Sequence, residues 1–383
     1  MWSRTVAVLL FCVCVDLSAV CQRETIFIDA DAYQPVPSPD GKLVAFVLTG
    51  RSMHGTGGFG RSNLRSNVAF ADQNGKNLRD PKVEGFLGEW LPGSSAVSTY
   101  RDWHFSLVTP EGSQKNGEIP HQDPPNFTPG PERAQYIPAL GSFVWIEYSG
   151  KNTYLKTLNG PVATFNRSFQ SEALIMPSPD GRYLAIGNPN KYEEQGRNLW
   201  IYDIGKATWK DLGPFSVHPD PNWDYIKPNW NPWFADSVHL ALVSGSTLCI
   251  VRVDGTDRRE LCPAQNAGLP VPSPDGKSIA YVTFAPRLAQ HRTDLQFWGG
   301  STIWVISTEG GPPRQVTLTS KDETYDLRWL TNSSLIFDRI GEAMFNEHAR
   351  IWTVPLDLNE NSVRTEHSPI KSTEPEAAIL IHQ

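Results

Sequence analysis

Three observations predict an all-β chain folded as a β-propeller, with seven blades preferred and six as the alternative. One turn-and-strand motif occurs three times. The intervals between its copies are multiples of about 47 residues, the length of a four-stranded blade. Almost no segment carries a long apolar stripe of 3.6-residue period, so little helix is expected.

The motif comes first. It reads Pro37-Ser38-Pro39-Asp40-Gly41 before Leu43-Val44-Ala45-Phe46, Pro177-Ser178-Pro179-Asp180-Gly181 before Tyr183-Leu184-Ala185-Ile186, and Pro272-Ser273-Pro274-Asp275-Gly276 before Ile279-Ala280-Tyr281. Ser-Pro-Asp-Gly suits a type I turn. Proline presets φ at the second position, Asp suits the third, and Gly follows where the chain turns tightly. Ser38 and Ser178 are 140 residues apart, and Ser178 and Ser273 are 95 apart. Those distances are three units and two.

The intervening units fall where that period puts them. Glu89-Trp90-Leu91-Pro92-Gly93, Ile137-Pro138-Ala139-Leu140-Gly141, Asn231-Pro232-Trp233-Phe234-Ala235-Asp236 and Leu327-Arg328-Trp329-Leu330-Thr331-Asn332 each precede a short apolar strand. A second strand per unit alternates apolar and polar residues, as in Leu199-Trp200-Ile201-Tyr202-Asp203, Cys249-Ile250-Val251-Arg252-Val253, Ile303-Trp304-Val305-Ile306 and Ile351-Trp352-Thr353-Val354. That alternation is the pattern of a half-buried strand. Thr25-Ile26-Phe27-Ile28 precedes the first inner strand with no partner in its own unit. It is expected to close the ring by pairing in the last blade, near residues 351–365.

The pattern resembles the TolB-like, or WD40-like "PD" repeat, propellers of exported bacterial proteins. The resemblance covers residues 34 to about 365 and is strongest in units one, four and six. It implies a fold and mostly interaction roles. Some relatives carry a hydrolase domain beside the propeller, and this chain has no room for one.

Composition agrees with a globular β protein. The 383 residues are 39% hydrophobic and 20% charged, which excludes a disordered polyelectrolyte, a collagen-like repeat and a multi-spanning membrane protein. A net charge of -7 argues against non-specific nucleic-acid binding. Residues 1–21 read as a secretory signal: Arg4, an apolar run from Val6 to Val15, and a small-residue site at Ala19-Val20-Cys21. The run is too short to span a bilayer. The remainder, 22–383, reads as one propeller domain, periplasmic or secreted. A lipid anchor on Cys21 is the lesser alternative, because Val20 is a poor neighbour for a lipidated cysteine.

A search for chemistry finds none of the usual signatures. Gly-x-Ser-x-Gly, His-Glu-x-x-His, P-loop and EF-hand patterns do not occur, and the nine His are scattered singly. No catalytic residue, metal site or cofactor is therefore assigned. The run Gly55-Thr56-Gly57-Gly58-Phe59-Gly60 lacks the strand and helix that a phosphate cradle needs. Glu193 and Glu194 read as a solvated loop.

Loop lengths carry the functional signal. In a four-stranded antiparallel blade, the b–c and d–a loops share one face, and the a–b and c–d turns share the other. The long insertions at 51–66, 116–134, 188–197, 213–227, 285–300 and 341–349 all fall on the first face. Long loops on a rigid scaffold are where binding concentrates. Two are rich in hot-spot residue types. Loop 213–227 holds His218, Trp223, Asp224 and Tyr225, and loop 285–300 holds Arg287, His291, Arg292 and Trp298. These residues are expected to gather around the channel mouth and engage a protein or other macromolecule. The competing reading has the aromatics packing the loops down and the Arg solvated. A propeller enzyme of the polysaccharide lyase or hydrolase type, with its site at the same mouth, is the alternative.

Cys249 and Cys262 are the two cysteines in the body of the mature chain, a disulfide candidate in an exported protein. A hairpin turning at Asp254-Gly255-Thr256 would set them directly opposite each other. A one-residue bulge would instead put them on opposite faces of the sheet.

Overall fold

The computed structural model describes residues 22–49, 66–91, 93, 95–101, 104–118, 134–149, 152–165, 173–187, 198–217, 229–285, 300–320, 322–340 and 349–356. It is a seven-bladed β-propeller. Strand β1 (Thr25–Ile28) precedes the first blade, which holds β2 (Ala32–Pro37), β3 (Leu43–Thr49) and β4 (Ser66–Asp72). Blade two is β5 (Phe86–Trp90), β6 (Val97–Arg101), β7 (His104–Thr109) and β8 (Gly112–Glu118). Blade three is β9 (Ala134–Ile137), β10 (Ser142–Ser149), β11 (Asn152–Thr157) and β12 (Gly160–Phe165). Blade four is β13 (Leu174–Pro177), β14 (Tyr183–Gly187), β15 (Asn198–Asp203) and β16 (Thr208–Pro214).

Blade five is β17 (His239–Ser244), β18 (Thr247–Arg252) and β19 (Arg259–Pro263), with Ser216 and Trp233 bridging to β17 on its inner side. Blade six is β20 (Ala267–Pro272), β21 (Ser278–Phe284), β22 (Ser301–Ser307) and β23 (Arg314–Gln315). Blade seven is β24 (Glu323–Thr331), β25 (Ser334–Ile340), β26 (Arg350–Pro355) and β1. A 3-10 turn at Pro138–Leu140 is the one helical element among the described residues.

The ring closes as the parity of its strands requires. β1 pairs antiparallel with β26, Thr25 against Thr353 and Ile26 against Trp352. Glu24, just before β1, accepts both Nη groups of Arg339 on β25, at 2.8 Å for Nη2. The first described strand thereby becomes the outer strand of the last blade and covers the edge of β26.

The three repeat turns share one hydrogen-bond pattern, which explains each residue of the motif. The serine hydroxyl donates to the aspartate, 2.7 Å from Ser38 to Asp40, 2.6 Å from Ser178 to Asp180 and 2.6 Å from Ser273 to Asp275. The same hydroxyl accepts the amide five residues on, from Leu43, Tyr183 and Ser278. The aspartate also accepts the amide two residues on, from Lys42, Arg182 and Lys277. Gly41, Gly181 and Gly276 hold φ of 70°, 71° and 69°, where a side chain is strained.

The hydrophobic core lies between blades. Val36, Val47, Phe70, Trp90 and Val108 join blades one and two, and Val144, Leu155, Leu184, Ile186 and Tyr202 join three and four. A second feature repeats across three blade interfaces. Trp90 donates its indole N–H to the Val36 carbonyl at 2.8 Å, Trp233 to Met176 at 3.0 Å, and Trp329 to Val271 at 2.9 Å. Each acceptor immediately precedes the Pro-Ser-Pro-Asp-Gly turn of the preceding blade. Blades one and two, four and five, and six and seven are tied in this way, and Trp230 of blade five adds an indole bond to the Pro270 carbonyl of blade six at 2.8 Å.

The disulfide expectation is corrected here. Cys249 and Cys262 are both free and buried. Cys262 pairs with Leu248, and Cys249 pairs with Glu260, so Leu261 is an extra residue on β19. One inserted residue turns the side chain to the other face. Cys249 packs beside Leu240 and Val251, whereas Cys262 packs beside Tyr281 and Ile306 of blade six. Burial pushes both thiols above their ordinary pKa.

Candidate functional site

The residues expected to bind a partner, Trp223, Tyr225, Arg287, His291, Arg292 and Trp298, lie outside the described residues, as do His218 and residues 1–21. The strands around them are described. β16 leads toward 218–228, and β21 and β22 flank 286–299. By strand direction, these are the d–a and b–c ends of their blades, and both sit on the same face of the ring. Segments 50–65, 119–133, 188–197 and 341–348 join strands at that face too. Two loop limits move: Asn116 to Glu118 extend β8, and Phe215 and Val217 belong to the core, with Ser216 bridging to Val243.

The described polar site is at the centre of the ring. The inner strands of blades one, two, six and seven each skip register in mid-strand, between Tyr33 and Val36, Leu87 and Trp90, Gly268 and Val271, and Thr324 and Leu327. A skipped register frees backbone groups that need partners. In blade seven Asp338 supplies one. Its Oδ1 accepts the amides of Asp326 at 2.9 Å and Tyr325 at 3.3 Å, and its Oδ2 accepts the Gln34 amide from blade one at 3.0 Å. Gln34 there has φ of 55°. Gln34 then accepts the Leu87 amide of blade two through Oε1.

Asp326 and Arg328 alternate on β24 and share one side of it. Asp326 Oδ1 accepts the amide of Asn229 from blade five. Arg328 Nη2 donates to Glu89 of blade two at 2.7 Å and to the Asn229 side chain at 3.1 Å. Asn229 Nδ2 donates to the Gly88 carbonyl at 3.3 Å. Gln135 of blade three accepts the Glu89 amide through Oε1. Gly88 has no room for a side chain: a Cβ there would lie 2.3 Å from Ser98 Oγ and 2.5 Å from Gln135 Oε1. Side chains and backbone of blades two, five and seven therefore meet across the axis, with blades one and three bonded to them.

The electrostatics follow from burial. Asp326 is 1% exposed and Asp338 is fully buried. Desolvation, reinforced by the neighbouring Asp338 carboxylate, drives Asp326 well above the usual carboxylate range. Asp338 is raised by the same desolvation, opposed by its backbone donors. As an anion, Asp326 would leave its buried Oδ2 with no donor. The cluster is chemically suited to holding blades in place, with Asp326 and Asp338 buried and Glu89 only partly so. Among the described residues, no group of three or more His, Cys, Asp and Glu is arranged to hold a metal ion.

Sequence reading did not single out these residues as a site. A signal was present, because Glu89 and Arg328 each stand immediately before the tryptophan of a matched unit. A charge at that point of an inner strand faces other blades, where it needs a partner.

No protein-family model and no curated protein matches the sequence. Solved structures do. The β-propeller domain of Cps50 (Swd1) from Myceliophteria thermophila is 11% identical, with a TM-score of 0.53, covering 87% of this chain and all of that one. TolB from Agrobacterium tumefaciens is 14% identical over 73% of this chain and 94% of that one, with a TM-score of 0.40. The β-propeller domain of the Trilobed protease from Pyrococcus furiosus is 10% identical over 84% of this chain and 95% of that one, with a TM-score of 0.47. At these identities the likeness concerns the fold alone, which is a β-propeller. A fold by itself does not set a function, which must be argued from its surfaces.

Proposed function

We propose that this chain is an exported, non-catalytic propeller that binds a protein or another macromolecule through its long-loop face. The supporting observation is directional. The long connections 50–65, 119–133, 188–197, 218–228, 286–299 and 341–348 all join strand ends on one face, while the repeat turns hold the other with tight bonded loops. Trp223, Tyr225, Arg287, His291, Arg292 and Trp298 are the proposed contact residues. Residues 1–21 serve as the export signal, which places 22–383 in the periplasm or outside the cell. No helix among the described residues is long and apolar enough to cross a membrane.

Photo-crosslinking in the producing cell tests this. A photoreactive side chain at position 223 or 298 should form discrete adducts, and one at Lys42 or Lys277 on the tight-turn face should not. Adducts from the tight-turn positions alone would refute the assignment of the face. Charge reversal by Arg287→Glu with Arg292→Glu should lower adduct yield from position 298.

A further inference from the structure

We propose that a proton held between Asp326 and Asp338 clasps the propeller ring, so that closure of blade seven onto its neighbours weakens as pH rises. The geometry places the two carboxyl groups on adjacent strands of one blade. Asp338 is already committed as an acceptor, taking Tyr325 and Asp326 amides with one oxygen and the Gln34 amide with the other. Asp326 takes one donor, the Asn229 amide, and leaves Oδ2 buried with none. A proton on Oδ2 converts that orphan acceptor into a donor toward Asp338. It also removes one of two negative charges from a site buried away from solvent.

On β25, Arg339 follows Asp338 in the chain, and Glu24 already engages its guanidinium. Arg328, on the same strand as Asp326, is the nearby cation, and it is already engaged by Glu89 of β5. Glu323 accepts the Tyr325 hydroxyl on β24 itself. β2 contributes Gln34 and blade five contributes Asn229, both neutral. One cation shared among Asp326, Asp338 and Glu89 leaves an excess of carboxylates, which a bound proton relieves. The connections make the pair a clasp: Asp338 reaches blade one, Asp326 reaches blade five, and Arg328 reaches blades two and five.

The sign is fixed by linkage. The native state holds a proton that the unfolded chain releases at an ordinary aspartate pKa, near 3.8. The contribution is fully present below that value and is lost as pH climbs through the native pKa of the pair. In that window the unfolding constant rises up to tenfold per pH unit. The aspartates of the turns do not obscure this, because Asp40, Asp72, Asp254 and Asp275 are all shifted down and are ionised in both states above about pH 5.

The experiment is urea unfolding of the full mature chain at intervals from pH 5 to 8, with infrared spectroscopy of the native protein at pH 7. The unaltered protein should show a protonated-carboxyl C=O band and an unfolding constant that increases with pH. Asp326→Asn should abolish the band and flatten the dependence, since its amide donates to Asp338 without titrating. No such band in the unaltered protein overturns the proposal. So does a band that survives in D326N. Should D326N fail to fold, the unaltered protein decides alone: an unfolding constant that does not rise across pH 5–8 overturns the clasp.

Discussion

Replacing Trp329 with Phe isolates one of the three indole bonds that end just before a Pro-Ser-Pro-Asp-Gly turn. Trp329 is 6% exposed, and its Nε1 lies 2.9 Å from the Val271 carbonyl of blade six. The substitution takes that donor from a buried acceptor, a loss of about 1–3 kcal/mol. The phenyl ring is also smaller than the indole. Large aromatics bury roughly 150–250 Å² each, so a shortfall of about 50 Å² at ~25 cal/mol per Å² adds about 1 kcal/mol. W329F should therefore destabilise by about 2–4 kcal/mol, read as a lower urea midpoint at unchanged m-value. Trp304 supplies the control. It is half-buried, and its Nε1 donates at 2.9 Å to the Thr283 hydroxyl, a rotor with other partners to choose. W304F should cost about 0.5–1.5 kcal/mol. Equal losses in the two variants, or a loss under about 1 kcal/mol in W329F, would show that the indole bond does not hold the blade pair.

Three further outcomes are expected. Alkylation of the unreduced protein in denaturant should modify both Cys249 and Cys262, and full resistance would mean that they are bonded after all. Gly75→Ala should weaken ring closure, because φ is +72° and the new Cβ would lie 2.2 Å from the Phe27 carbonyl oxygen of β1; Gly245→Ala, with φ +62° and open space, should cost only about 1 kcal/mol of backbone strain, and equal midpoints would discount the β1 contact. Asp40 is held down to about 2, chiefly by the Ser38 hydroxyl, so its contribution should be present above about pH 4 and lost as pH falls toward 2. Acid titration of Asp40→Asn should lack that share of the loss; an unchanged acid limb would mean that the turn bond is lost to solvent.

The sequence by itself determined the repeat turns, the strands after them and the strand that closes the ring, and it favoured seven blades over six. These are local or periodic properties. Ser-Pro-Asp-Gly bonds largely within itself, alternation is intrinsic to a half-buried strand, and Thr25 to Ile28 lacked a partner by simple parity. Only the tertiary structure decided the rest. Leu261 is an extra residue that a count through the hairpin turn does not contain, and it sends Cys262 to the opposite face from Cys249. The tryptophans of units two, five and seven stand at matching positions in the sequence, but their acceptors lie 54 to 58 residues back, on another blade. The central cluster is more remote still. Arg328 meets Glu89 across 239 residues and Asn229 across 99. A solvated charge and a buried one are the same letter in the chain, and only closing the ring takes the water away from Asp326 and sets Asp338 beside it.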